Sequence, residues 1–268
     1  MRLAWATDIH LNWLESREQR QAFYETLRAA AADAMVLTGD VADGPETSRY
    51  LVELEGELEH PVYFVLGNHD FYGRSIGRGR RETIELAARS RWLVYLTTAG
   101  LVELTPQTAI VGHDSWGDAR LGSFENSRVW ISDFLAIEDL LAVHEHRDLL
   151  RQRLECLGDE AARHFATILP QALERYPQVV VATHVPPFRE AAWHQGEVSD
   201  DAWLPFFACR AVGDVLLEIM AAHPDRELLV LCGHTHGGGE VQILDNLRVI
   251  TGEAREEQPC IQRVFELA

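Results

Sequence analysis

Five short apolar runs, at residues 2–7, 34–38, 61–66, 178–183 and 227–232, each give way at the carboxyl end to a cluster of Asp, Asn or His. Runs of this length, rich in Val, Leu and aromatic residues, suit strands buried on both faces, although period alone does not separate them from buried helix. Between the runs, the spacing predicts helices over 16–32, 46–58, 159–176 and 210–222, the first opened by Ser16 and Gln19 in capping-box positions. Strand, loop and helix repeated in this way imply an α/β layered fold with right-handed crossovers. In such a fold the polar ends of the strands meet on one rim, where sites form.

The residues gathered at those ends are Asp8, His10, Asp40, Asn68, His69, Asp70, His184, His234 and His236. Asp8 and His10 are two apart, as are His234 and His236, so in an extended segment each pair faces one point. Taken singly, a histidine here would be structural, Asp40 a helix cap, Asn68 a turn residue, and Gly39, Gly67 and Gly233 strand exits. Their shared position at one end of every strand argues instead for a metal site. Imidazole mixed with carboxylate suits Zn, Mn, Fe or Ni better than calcium. The set is too large for one tetrahedral ion and fits two ions sharing a carboxylate, roughly 3.5–4 Å apart.

The ordered blocks Asp8-Ile9-His10, Gly39-Asp40, Gly67-Asn68-His69-Asp70, His184 and Gly233-His234-Thr235-His236 resemble the motifs of the calcineurin-like metallophosphoesterases, over essentially the whole chain. The resemblance implies two mixed β-sheets packed face to face and flanked by helices. It implies that Asp8, His10 and His236 hold one metal, that Asn68, His184 and His234 hold the other, and that Asp40 bridges them. It also implies attack on phosphorus by a metal-bridging hydroxide, with His69 stabilising or protonating the leaving oxygen. Asp70 and Asp43 are the carboxylates expected to orient His69. Two departures narrow the branch. Asp43 is followed by Gly44 and Pro45, so the arginine of the serine/threonine protein phosphatases is missing; His69 stands where the lipid A branch carries arginine. What remains resembles bacterial phosphodiesterases acting on a small or nucleotide-like substrate, with a phosphomonoesterase as the alternative and a non-catalytic scaffold further away.

Three segments are candidates for substrate contact: the Gly-rich stretch with Arg74, Arg78, Arg80 and Arg81; His113 and Trp116; and Trp193 with His194. Trp5 and Trp130 are expected to be structural. Residues from about 113 to 164, polar and aromatic and then charged, read as an insert or cap on a single domain spanning 1–268. The tail, 240–267, reads as strands with a turn at Asp245-Asn246.

A formal charge of −18 argues against a protein that coats nucleic acid, but not against a small phosphorylated substrate beside bound cations. All 24 basic residues are arginine, which removes Schiff-base, P-loop-lysine and serine–lysine chemistry. No apolar stretch reaches membrane-spanning length, and the start reads as a strand rather than a signal peptide, so a cytoplasmic location is expected. Cys156, Cys209, Cys232 and Cys260 form no CxxC pair and are expected to be reduced thiols.

Overall fold

The structure is a computed structural model and describes residues 1–255 and 257–268. The strands are β1 (Arg2–Ala6), β2 (Ala34–Thr38), β3 (Val62–Val65), β4 (Leu93–Tyr95), β5 (Val102–Thr105), β6 (Thr108–His113) and β7 (Gln178–Thr183), then the hairpin β8 (Trp193–His194) and β9 (Glu197–Val198). After them come β10 (Glu227–Cys232), β11 (Gly239–Leu244), β12 (Leu247–Thr251) and β13 (Arg263–Glu266). Two large mixed sheets result, in the orders β13-β1-β2-β3-β4 and β11-β12-β10-β7-β6-β5. Strands β1 to β4 run parallel, as do β6, β7, β10 and β12. Strands β13, β11 and β5 add antiparallel edges.

Alternation along each strand builds the layers. Leu3, Trp5, Val36, Tyr63 and Val65 of the first sheet share an inner apolar cluster with Ile110, Val180, Ala182, Leu231 and Ile250 of the second. The intervening residues turn outward. Met35, Leu37 and Phe64 meet one helical layer, and Val111, Val179, Val181 and Val230 meet the other. Both faces of the central strands are therefore covered, which is why they read as continuous apolar runs rather than alternating ones.

Helix Arg17–Ala29 carries the expected capping box: Ser16 Oγ accepts from the Gln19 amide at 3.1 Å, and Gln19 Oε1 accepts from the Ser16 amide at 2.9 Å. Helices Glu46–Leu58 and Arg210–Ala221 also lie where the pattern put them. The arginine-rich glycine stretch, offered as a substrate contact, leads through Arg74 into the first turns of helix Ile76–Ala87, capped by Ser75. The helix expected from residue 159 instead runs through Arg147–Arg175, with Leu150, Leu154, Leu157, Ala161, Phe165 and Leu169 as its buried stripe. It is the crossover between β6 and β7. His113 ends strand β6, and the irregular stretch that follows it gives way to this helix at Arg147. Within it, Phe124, Phe134, Ile137 and Leu140 pack into the same cluster as Leu37, Phe64 and Phe71. The tail forms the β11–β12 hairpin about Asp245-Asn246, then crosses to pair β13 with β1 of the other sheet. Among the described residues no helix is long and apolar enough to cross a membrane.

Candidate metal centre

The carboxyl ends of β1, β2 and β3 meet those of β7 and β10, and hydrogen bonds cross between the sheets there. Thr38 of β2 accepts from His184 Nδ1 at 2.8 Å, and Asp8 accepts from the His234 amide at 3.1 Å. Ligand atoms of Asp8, His10, Asp40 and His236 lie within 4.8 Å of one another, as do those of His10, Asp43 and His69. On the other flank, Asn68 Oδ1 is 2.9 Å from His184 Nε2 and 2.8 Å from His234 Nδ1, and His184 Nε2 is 3.4 Å from Asp40 Oδ2.

The local backbone is not the extended chain the i, i+2 spacing suggested. Asp8, His10, Asp40, His234 and His236 all have φ between 36° and 71°. This left-handed region costs an L residue about 1 kcal/mol or more, and such strain collects where side-chain aim matters. Gly67 and Gly233 are required by close approach: a Cβ on Gly67 would stand 2.2 Å from Asp40 Oδ1, and one on Gly233 would stand 2.0 Å from Asp8 Oδ2.

Three observations show that the donor set fits bound cations. His10 is buried and stacked on Trp13 at 3.8 Å, yet neither ring nitrogen has a hydrogen-bond partner. Orphaned polar atoms of this kind are costly unless something else binds them. Backbone carbonyls fix two tautomers. Thr38 takes the Nδ1 proton of His184 and Phe206 takes the Nε2 proton of His234 at 3.0 Å, so the remaining nitrogens face Asn68. Finally, burial keeps two of the rings neutral and free to bind a cation, lowering His10 to about 4 and His234 to about 3, while the carboxylates draw positive charge toward them. Burial opposes a charged His184, but Asp40 outweighs it and lifts the pKa to about 10. Burial likewise opposes ionisation of Asp40, and His184, His69 and His10 overcome it, holding the carboxyl well below its usual range.

His69 stands beside this cluster. Its Nδ1 lies 2.8 Å from Asp43 Oδ1, and Asp43 is steadied through its other oxygen by Asn12 (2.9 Å) and Trp13 (3.2 Å). Burial disfavours a charged ring, but Asp40, the hydrogen bond to Asp43 and nearby Asp133 prevail and raise the pKa to about 9. Asp70, expected beside Asp43 as an orienter, does not touch the ring. It is fully buried and accepts from the amides of Asp40, Val41, Ala42 and Gly67 and from Thr47 Oγ1, clamping the Asp40 loop to the Asn68 loop.

The cleft above the centre is lined by Asp40, Asn68, His69, Tyr72, Trp130 to Asp133, His194, Trp203, Phe207 and His234 to His236. Of the substrate-contact candidates, only His194 reaches it. Arg74 is 1% exposed, its guanidinium used on the carbonyls of Gly44 and Asp70 and on Glu82. Arg78 pairs with the same Glu82 outside the cleft. Arg80 is held by Asp114 and Glu160. His113 and Trp116 are buried, one against His164 and the other against Phe71. Trp193 packs on Gly239. Trp5 is buried between the sheets as expected, but Trp130, also expected to be structural, is 57% exposed on the cleft wall. Sequence reasoning also missed Tyr72, Asp133, Trp203 and Phe207. Tyr72 follows Gly67-Asn68-His69-Asp70 by two, which was a signal; Asp133, Trp203 and Phe207 stand far from every metal-site block in the chain and carried none.

The profile of the family described as calcineurin-like phosphoesterase matches residues 1–238. The fold is similar to that of a dimetal phosphatase from Danio rerio, at 16% identity and TM-score 0.59, covering 97% of this chain and 89% of that one. It is also similar to a phosphopantetheinyl hydrolase from Mycobacterium tuberculosis, at 16% identity and TM-score 0.61, covering 95% and 90%. At these identities the likeness is one of fold. Comparison with curated protein sequences found no match. Profile and centre agree: the chain belongs to the calcineurin-like phosphoesterases and is a metal-dependent hydrolase of phosphate esters with a site for two divalent ions.

Proposed function

We propose that the protein hydrolyses a small, nucleotide-like phosphodiester. The observation that carries this reading is the cleft wall, which among the described residues has no arginine and instead offers Trp130, Trp203, Phe207, Tyr72 and the carboxylate of Asp133. A diester brings one negative charge and needs less cationic help than a monoester dianion, while aromatic faces suit a base or another planar organic group. Asp8, His10 and His236 would hold one ion, Asn68, His184 and His234 the other, with Asp40 shared. When bound, the pair neutralises the phosphate and supplies an acidic water as nucleophile.

The residues of the chain do the rest. Asp43 holds His69 through Nδ1, which leaves Nε2 to give its proton to the oxygen that departs as the bond to phosphorus breaks. The carboxylates of Asp40, Asp43 and Asp133 favour the charged form of that ring against the cost of burying it. The four cysteines are free, which supports a reducing, cytoplasmic setting. Hydrolysis of bis(4-nitrophenyl) phosphate and 4-nitrophenyl phosphate, compared in Mn²⁺, tests the reading. A higher kcat/KM for the diester is expected; predominant monoesterase activity would sink it.

A further inference from the structure

Asp133 brings the insert into hydrogen-bond contact with the centre. Asp133 opens the short helix Asp133–Ala136, lies buried, and receives two hydrogen bonds at the same oxygen. Asn68 Nδ2 donates to its Oδ1 at 2.9 Å, and Tyr72 Oη donates at 2.8 Å. The Tyr72 oxygen in turn lies 3.3 Å from His69 Nε2. The segment carrying Asp133 is fastened to the loop that follows His69. Gly73 N donates to Ala136 O at 2.7 Å, Ile76 N to Asp139 Oδ2 at 2.7 Å, and Glu138 N to Arg74 O at 3.3 Å.

An asparagine amide can present either its oxygen or its NH2 group to a neighbour, and the two faces are close to isosteric. Only the oxygen can bind a cation. A fixed acceptor on the NH2 side decides the matter, and its negative charge also polarises the amide so that Oδ1 becomes the better donor of electrons. Asp133 is placed to do both. We propose that Asp133 is a positioning residue, held by the insert, that fixes the Asn68 amide with Oδ1 toward His184 and His234 and anchors Tyr72 beside the proton-bearing nitrogen of His69. The insert is then a working part of the centre as well as one wall of the cleft. This rests on the assignment of Asn68 as a metal ligand.

The test is calorimetric titration of metal-free full-length protein with Mn²⁺, using wild type, Asp133→Ala, Asp133→Asn, Tyr72→Phe and Asn68→Ala, with far-UV circular dichroism as the check on folding. Asp133→Ala is expected to weaken one of the two Mn²⁺ sites by about 10–100-fold, the usual effect of losing an outer partner, and to leave the other unchanged. Asp133→Asn retains an acceptor oxygen and should recover most of that loss. Tyr72→Phe should keep both affinities and lower kcat with little change in KM. If Asp133→Ala loses its native dichroism, Asp133→Ser, too short to reach both donors, carries the same expectation. Wild-type affinity at both sites in a folded Asp133→Ala or Asp133→Ser overturns the proposal, as does an Asp133→Asn variant as defective as the alanine. If Asn68→Ala weakens one site while Asp133→Ala does not, the positioning role alone fails. If Asn68→Ala binds both ions normally, the ligand assignment fails and this inference with it.

Discussion

The rim of the sheets and the aromatic wall above it meet in one cleft, yet they are built by opposite rules. The rim is made of residues that follow strands, each held by backbone geometry. Five of its side chains sit on left-handed residues, and Gly67 and Gly233 leave no room for a Cβ beside Asp40 and Asp8. The wall is made of aromatic side chains and one carboxylate, brought to the cleft from sequence positions as far apart as Tyr72 and Phe207. Rigid strand ends suit chemistry that tolerates little displacement, whereas a separately attached wall can change its side chains, and with them the substrate, without disturbing the centre. Asp133 is the exception that ties the two together.

Substitutions should separate the two regions. The largest effect belongs to the rim. Asp40→Ala is expected to abolish the loading of both ions together and to reduce hydrolysis to the level of metal-free protein, as read by metal analysis after dialysis and by initial rates. Near-normal activity in that variant would break the distinction. Next is His69→Asn, which should lower kcat by about 10²–10⁴-fold while leaving metal content unchanged. The loss should shrink for esters with more acidic leaving groups, because these need less help from a proton. A loss independent of leaving group would assign His69 some other task.

These two effects fall on residues whose place at the strand ends was legible in the sequence, while their separate roles came from the family resemblance; the reason for the first is physical. Asp, Asn and His all offer lone pairs to a metal, and a parallel sheet puts successive strand ends on one rim, so type and position together mark the set. The helical framework was legible for the same kind of reason, since Ser16 and Gln19 cap a helix by purely local bonds. The wall had no such mark. Trp130 looks like any core tryptophan until the insert folds and leaves it 57% exposed. Arg74 shows the converse. Its charge and glycine neighbours suggested a contact with substrate phosphate, but it lies buried just ahead of helix Ile76–Ala87 with its guanidinium spent on the carbonyls of Gly44 and Asp70. Asp70 likewise carries the right charge beside His69, but five donors claim it for the loop beneath.

The wall should answer in KM rather than kcat. Trp130→Ala is expected to raise KM for an aryl diester by about 5-fold or more, the equivalent of ~1 kcal/mol of stacking, with kcat and metal content preserved. An unchanged KM would leave Trp130 exposed for some other reason and move recognition to Trp203 and Phe207. The smallest effect on hydrolysis is expected from Arg74→Ala. Buried carbonyls left without a partner should cost about 1–3 kcal/mol of stability, seen as a lower urea midpoint, while KM stays that of the wild type. A selective rise in KM would return Arg74 to the substrate.

The central claim is that the sheet ends form one centre for two ions and that hydrolysis requires both. Its most direct test is to titrate metal-free protein with Mn²⁺, following heat and bis(4-nitrophenyl) phosphate hydrolysis in the same series. The account predicts two equivalents bound, with activity appearing as the second is taken up. Full activity after a single equivalent would contradict it.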